Sequence, residues 1–227
     1  MVSITGVPNG TGSGNGSISY SGAMESFHII LRGGELYEFQ ANSTSSLDPT
    51  LTLNQPIGAP IFNDDVLPGN HNAGILFRAG TLPPGSSADH RLDVAAYNNA
   101  STGSLRLVAN EVPSNTGTYS TLSVNTSNTG DLHANGDQDF HRITLVAGRT
   151  YRFNLNGADF GSGALADPVL ELRNGFGAIL RTDDDSGGGH NSQITYTAPT
   201  SGTYFANARA YINAGSGGYR LSATQIA

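Results

Sequence analysis

The 227-residue chain contains no cysteine, no tryptophan and no lysine. The lack of Cys excludes disulfides and thiolate-ligated metal sites. The lack of Lys leaves Arg as the whole basic complement, 11 side chains without a cluster, against a formal charge of −7. No nucleic acid or anionic membrane surface is therefore expected as a partner, since both need a Lys/Arg patch. Apolar runs are short and none approaches the roughly 18 residues of a membrane-spanning helix. The first residues, MVSITGVPNGTGSGNG, lack the charged and apolar regions of a secretion signal. They read as the start of a secreted module cut from a longer precursor. Glu is scarce as well, 5 against 13 Asp, and Asp favours turns and short oxygen-ligand loops where Glu favours helices. With Gly at 30 residues, the balance suits a bacterial extracellular or cell-surface module built of short elements and many turns.

What is present is an internal repeat. At an offset of 114, Ile29, Leu31, Gly34, Tyr37 and Phe39 fall on Ile143, Leu145, Gly148, Tyr151 and Phe153. The offset becomes 119 for Asp48-Pro49, Leu51, Leu53, Asp64-Asp65 and His71-Asn72 against Asp167-Pro168, Leu170, Leu172, Asp183-Asp184 and His190-Asn191. It returns to 114 for Tyr97, Gly103, Arg106 and Leu107 against Tyr211, Gly217, Arg220 and Leu221. The second copy thus carries five extra residues near Gly157–Ala166 and loses five later. A period above a hundred residues indicates two whole domains, not a solenoid. The boundaries are set at 1–110 for copy one and 119–227 for copy two, with Glu111–Thr118 as a linker containing Pro and Gly and no apolar period.

Neither copy shows a helical pattern. In copy two, Ile143/Leu145, Tyr151/Phe153/Leu155, Val169–Leu172, Ala178–Arg181, Ile194/Tyr196, Tyr204–Ala208 and Tyr219/Leu221/Ala223 are short runs, mostly alternating, broken at Gly, Pro, Asn or Asp. Such spacing predicts an all-β chain, two tandem antiparallel β-sandwich domains of jelly-roll type. Tyr151, Phe153, Leu170, Leu172, Ile194, Tyr204 and Leu221 are expected to face inward.

The densest chemistry is the loop Asp183-Asp184-Asp185-Ser-Gly-Gly-Gly-His190-Asn191. Three adjacent carboxylates repel one another, and water, Arg or a cation must offset this. Hard oxygen donors between glycines suit Ca²⁺, which accepts six to eight oxygens in flexible geometry. Asp167 is expected at the same end of the sandwich, and Asp137 and Asp139 form a further Asp-x-Asp at a turn. Copy one retains Asp48, Asp64 and Asp65 but has Val66 where copy two has Asp185. The competing reading is a solvated acidic turn built on Asx-turns. The loop lacks the twelfth-position Glu of an EF-hand. The His-Asn pair is read either as a metal or ligand contact or, preferentially, as side chains that fold over the loop and bond its backbone. Tyr97 and Tyr211 are candidate contacts for a sugar ring or protein chain, with a core-rim role favoured. Arg209 and Arg220 are expected as cross-strand charge partners. No Gly-x-Ser-x-Gly elbow and no His-Glu-x-x-His occurs, so no enzyme is expected.

Copy two reads Gly136-Asp137-x-Asp139-Phe140, then Leu145-x-Ala147-Gly148, Ala166-Asp167-Pro168, Asp183-Asp184, Ser201-Gly202-Thr203-Tyr204 and a final Gly218-Tyr219-x-Leu221. This ordered set resembles the bacterial pre-peptidase C-terminal domain family over nearly all of copy two. Copy one resembles a diverged version, with Ala23 and Glu25 at the positions of Asp137 and Asp139. The resemblance implies a non-catalytic β-sandwich module beside secreted proteases and other exported proteins, and some members of the wider group bind calcium or matrix polymers. The expected function is a calcium-stabilised accessory or spacer module of a larger secreted or surface polypeptide. The alternative is an adhesion module for a polysaccharide or extracellular matrix protein.

Overall fold

In the computed structural model the described residues are 2–3, 11–67, 69–79, 86–112, 119–157 and 163–227. The chain divides into two compact units, the first Met1–Val112 with Phe176–Ala178, the second Pro113–Gly175 with Ile179–Ala227.

The first unit comprises β1 (Val2–Ser3), β2 (Thr11–Ile18), β3 (Met24–Arg32), β4 (Leu36–Ser43), β5 (Pro49–Asn54), β6 (Ile61–Asn63), β7 (Ala73–Arg78), β8 (Ser87–Ala96) and β9 (Gly103–Val112). They form a five-stranded sheet in the order β1-β3-β8-β5-β6 and a four-stranded sheet in the order β2-β9-β4-β7. The second unit comprises β10 (Tyr119–Thr121), β11 (Thr126–Leu132), β12 (Gln138–Leu145), β13 (Thr150–Asn156), β14 (Pro168–Asn174), β15 (Ile179–Asp183), β16 (Ser192–Thr197), β17 (Gly202–Ala210) and β18 (Gly217–Gln225). Its sheets run β10-β12-β17-β14-β15 and β11-β18-β13-β16. Every strand of one unit thus has a counterpart at the same sheet position in the other, as expected of a duplicated sandwich. All ladders are antiparallel except the edges β1/β3 and β10/β12, which are parallel. The only helical elements among the described residues are single 3-10 turns at Tyr97–Asn99 and Tyr211–Asn213.

Period-two alternation builds the core. In β13, Tyr151, Phe153 and Leu155 are buried, and between them Arg152 is exposed and Asn154 half-buried. Leu170, Leu172, Ile194, Tyr204 and Leu221 join them in one cluster drawn from both sheets. The first unit has the matching cluster with Tyr37, Phe39, Leu51, Leu53, Ile75 and Leu107. In each unit one buried Tyr closes the turn that precedes its strand. Arg32 N–H donates to Tyr37 Oη at 2.9 Å and Val146 N–H to Tyr151 Oη at 3.0 Å. Tyr151→Phe should therefore lower stability by about 0.5–1.5 kcal/mol, read as a fall in the midpoint of urea unfolding.

One boundary differs from the sequence expectation. Glu111 and Val112 belong to β9, paired with Tyr37 and Leu36, and Glu111 holds Arg32 at 2.7 Å. Residues 113–118 of the expected linker lie outside the described residues. The polar segments at β2, β10 and β11 are strands that carry little apolar signal; β2 and β11 pair along β9 and β18.

Candidate metal centre

Asp167 stands immediately before Pro168, where β14 begins, and the loop from β15 to β16 returns beside it. Gly187 lets the loop close on itself: a Cβ there would lie 2.7 Å from Asn191 O. Gly187 N–H donates to that carbonyl at 2.7 Å, and Asn191 Oδ1 accepts from Gly157 N–H at 3.0 Å. In the first unit Asn72 does the same work. Its carbonyl accepts from Val66 N–H at 2.9 Å and its Oδ1 from Ser43 N–H at 2.9 Å. In each His-Asn pair the asparagine carbonyl therefore closes the loop, while its side chain ties the loop to the end of β4 or β13.

His190 faces the carboxylates instead. Its Nδ1 lies 3.3 Å from Asp185 Oδ1 and 4.0 Å from Asp167 Oδ1. In the first unit His71 Nδ1 lies 3.6 Å from Asp48 Oδ2 and 3.7 Å from Asp65 Oδ1. The two trios, Asp167/Asp185/His190 and Asp48/Asp65/His71, each hold their ligand atoms within 4.8 Å of one another. Asp184 adds a third carboxylate to the second unit. Burial, and then the negative charges of Asp167 and Asp185, raise its carboxyl above the usual range. Asp48 is raised by burial against the opposing effect of His71, with Asp65 and Asp64 adding to the rise. Asp167 Oδ1, Asp184 Oδ1 and Asp48 Oδ1 are buried oxygens with no hydrogen-bond partner among the described residues. Hard anionic oxygens left in this state fit a divalent cation such as Ca²⁺, whose charge offsets both the repulsion and the missing hydrogen bonds.

Besides Asp184, four of the Asp residues proposed from sequence lie outside these trios. Asp183 binds the loop that follows it, accepting from Gln193 N–H at 2.7 Å and Ser186 N–H at 3.2 Å and from the Ser186 hydroxyl. Asp64 accepts from Asp65 N–H at 2.9 Å. Asp137 closes its own turn, accepting from His133 N–H and Gln138 N–H at 2.8 Å each. Asp139 is fully buried and accepts from Tyr219 Oη. Sequence spacing placed these carboxylates near one another but carried no information on which oxygens the backbone would claim.

Tyr97 and Tyr211 open the 3-10 turns, and the turns dock on the same ends: Tyr97 N–H donates to Asp48 O at 2.8 Å and Tyr211 N–H to Asp167 O at 2.9 Å. The rings are 43% and 49% exposed. Ile212 beside Tyr211 is 73% exposed at φ 45°, a left-handed conformation that strains a β-branched residue. Arg209 makes a cross-strand ion pair, to Glu171 at 2.7 Å. Arg220 donates instead to Ser127 Oγ.

Residues 137–210 match the family model for the bacterial pre-peptidase C-terminal domain. Comparison with curated proteins gives no match. Among solved structures, the chain is similar to the pre-peptidase C-terminal domain of a collagenase from Bacillus anthracis, at 17% identity and TM-score 0.38, covering 49% of this chain and 99% of that one. It is also similar to PliG, a periplasmic inhibitor of g-type lysozyme from Aeromonas hydrophila, at 14% identity and TM-score 0.33, covering 46% and 96%. The human MASP-1/3 CUB1-EGF-CUB2 fragment matches at 10% identity and TM-score 0.29, covering 94% and 99%. The fold itself stands on the strand ladders described above. The second unit thus carries, over residues 137–210, a match to the bacterial pre-peptidase C-terminal domain model.

Proposed function

We propose that the chain is a calcium-stabilised spacer within a larger secreted or bacterial surface polypeptide. Domains of this family are non-catalytic accessory modules of secreted proteins. No helix among the described residues is long and apolar enough to cross a membrane. In this reading Ca²⁺ sits between Asp167, Asp184 and Asp185 of the second unit, and more weakly against Asp48 and Asp65 of the first. The supporting observations are the buried oxygens Asp167 Oδ1 and Asp184 Oδ1, without hydrogen-bond partners among the described residues, and the grouping of Asp167 with Asp185 and His190. A bound ion would pin the start of β14 to the β15–β16 loop.

Extracellular sites with dissociation constants near 10⁻⁴–10⁻³ M are filled at about 10 mM Ca²⁺, which stabilises the native state by about 1.4–2.7 kcal/mol. For a unit of this size the melting temperature should rise by roughly 6–20 °C. Thermal unfolding with Ca²⁺ against chelator, in the parent chain and in Asp167→Asn/Asp184→Asn, measures this. An absent shift, or the same shift in the double variant, refutes the ion. Parallel titrations with Mn²⁺ and Zn²⁺ test the exposed His190 ring, a borderline ligand; a response to these alone would reassign the metal.

The exposed Tyr97, Tyr211 and Ile212 beside the acidic ends favour a second reading, adhesion to a polysaccharide or matrix protein. Each of these side chains offers amphipathic or apolar surface of the kind enriched in interfaces.

A further inference from the structure

A second feature lies at the open edge of the second sandwich, between β10 of one sheet and β11 of the other. A groove of about 450 Å³ there is lined by Tyr119, Ser120, Ser127, Asn128, Thr129 and His141, with the backbone of Gly130. Behind it runs a chain of buried polar groups. Tyr219 Oη donates to Asp139 Oδ2 at 2.5 Å, His141 Nε2 lies 2.8 Å from Tyr219 Oη, and Ser120 Oγ lies 2.7 Å from His141 Nδ1. Strand β11 crosses the Tyr219 hydroxyl closely, where a Cβ on Gly130 would lie 2.1 Å from Tyr219 Oη.

The fold does not need this chain. At the matching positions the first unit has Glu25, Phe27 and Leu105, and Phe27 and Leu105 are ordinary core residues. Burying Asp139 and His141 costs stability that an apolar core would keep, so the arrangement points to a use.

The directions of the hydrogen bonds say what that use is. An ionised Asp139 only accepts, so Tyr219 must donate to it. The Tyr219 oxygen then accepts from His141 Nε2–H, which leaves Nδ1 as a lone pair; Ser120 Oγ, at 2.7 Å, is its nearer donor and Asn128 Nδ2, at 3.4 Å, the farther one. Each bond polarises the next. Ser120 Oγ is thereby fixed as an acceptor toward the groove. Asn128 Nδ2 donates to Ser120 Oγ at 3.3 Å, taking one of its two lone pairs, and to Thr121 O at 2.9 Å, which orients the amide and leaves the second lone pair of Ser120 for a ligand. Arg220 Nε donates to Ser127 Oγ at 3.1 Å and fixes a second hydroxyl. The Ser120–His141 contact is not a nucleophile pair. Burial holds His141 down at about 4, too weak a base to activate a hydroxyl.

We propose that this groove binds a neutral saccharide unit, one of whose hydroxyls donates to Ser120 Oγ. The lining has hydroxyls, an amide and a neutral imidazole but no carboxylate and no ammonium, which disfavours ionic ligands. It also lacks the apolar side-chain pocket that peptide recognition uses for specificity. The reading is independent of the calcium site, and its test is run in chelator so that the two stand or fall separately.

The test is calorimetric titration of the full chain with neutral gluco-, manno-, xylo- and chito-oligosaccharides, with sedimentation on cellulose and chitin as the polymer arm and a neutral Ser/Gly peptide as the amide-bearing arm. Saturable binding to at least one neutral sugar is expected. Ser120→Ala should weaken it about three- to tenfold, the effect of one neutral hydrogen bond. His141→Phe, which borrows the first unit's residue, should weaken it too, with circular dichroism confirming the fold. Phe62→Ala, at an exposed side chain of the first unit, should leave it unchanged. Binding of soluble oligomers without the polymers assigns a free sugar, and the reverse assigns a polymer surface. No sugar bound across the panel, binding of the peptide alone, or sugar binding lost in Tyr211→Ala but intact in Ser120→Ala overturns the proposal.

Discussion

Asp139→Asn makes the stability of the second unit climb by about 3 kcal/mol between pH 4 and 6.5, where the parent chain shows a nearly flat profile from the same groups. Two buried residues with opposite slopes produce this. Burial, against the Tyr219 hydrogen bond and with help from Asp137, raises the Asp139 carboxyl from 3.8 to about 6. Between those values the folded state holds a proton that the unfolded chain has lost. Stability from Asp139 is therefore complete below 3.8 and is lost as pH rises through about 6. Burial lowers His141 from 6.5 to about 4. Here the unfolded chain binds the proton, so stability is complete above 6.5 and is lost as pH falls through about 4. Each contribution is about 3 kcal/mol, and over pH 4–6 they nearly cancel. Because burial alone shifts His141, its slope survives when Asp139 is replaced. His141→Phe should show the mirror image, stability falling as pH rises from 4 to 6. Urea unfolding by circular dichroism at half-unit pH intervals measures both. Parallel profiles for parent and variants would refute the opposed pair.

Glu171→Ala costs about 3–5 kcal/mol, because it leaves buried positive charge uncompensated. Glu171 alternates with core residues Leu170 and Leu172, so it points to the other face of its sheet, yet it is only 4% exposed. Its Oε2 accepts from Arg173 Nη2 at 2.7 Å and Nε at 3.0 Å, its Oε1 from Arg209 Nε at 2.7 Å, and Asn207 Nδ2 adds a bond at 3.2 Å. Arg173 also lies over the Phe140 ring, 5.3 Å from its centroid. Burial would raise the Glu171 carboxyl, but Arg173 and Arg209 outweigh it and hold the group below its ordinary 4.5. Its contribution is thus present above 4.5 and disappears as pH falls through the lower folded value. The urea midpoint of Glu171→Ala against exposed Arg152→Ala provides the test. A cost under 1 kcal/mol would mean that water screens the network.

Alternation made the central strands legible. β13 and β18 carry their buried residues at every second position, and the repeat doubled that signal. The edge strands were not legible. Thr126–Leu132 reads Thr-Ser-Asn-Thr-Gly-Asp-Leu and becomes a strand through the hydrogen bonds of β18, which no side-chain pattern records. The dipeptide Phe-His occurs in both copies, but in two registers. Phe27 faces the first core, but its counterpart at the same offset is His141, which leaves Phe140 on the outer face beside Phe205. The candidate site was half legible. Adjacent Asp residues marked the acidic ends, but whether a carboxylate faces a loop amide, as in Asp183, or lies unclaimed, as in Asp184, depends on rotamers and loop closure. The Asp139–Tyr219–His141 chain did leave a trace: the repeats differ together at these three positions, Glu25, Leu105 and Phe27 standing in the first copy.

In each unit an early strand lies antiparallel beside the last one. Thr11 faces Asn110 and Thr126 faces Ala223, and among the described strands only the short leading β1 and β10, two and three residues long, come before these ladders. In a longer polypeptide under tension, pulling would load these rungs one after another instead of all together. Each sandwich would then unzip from its seam at modest force, giving a tether that yields gradually before it breaks.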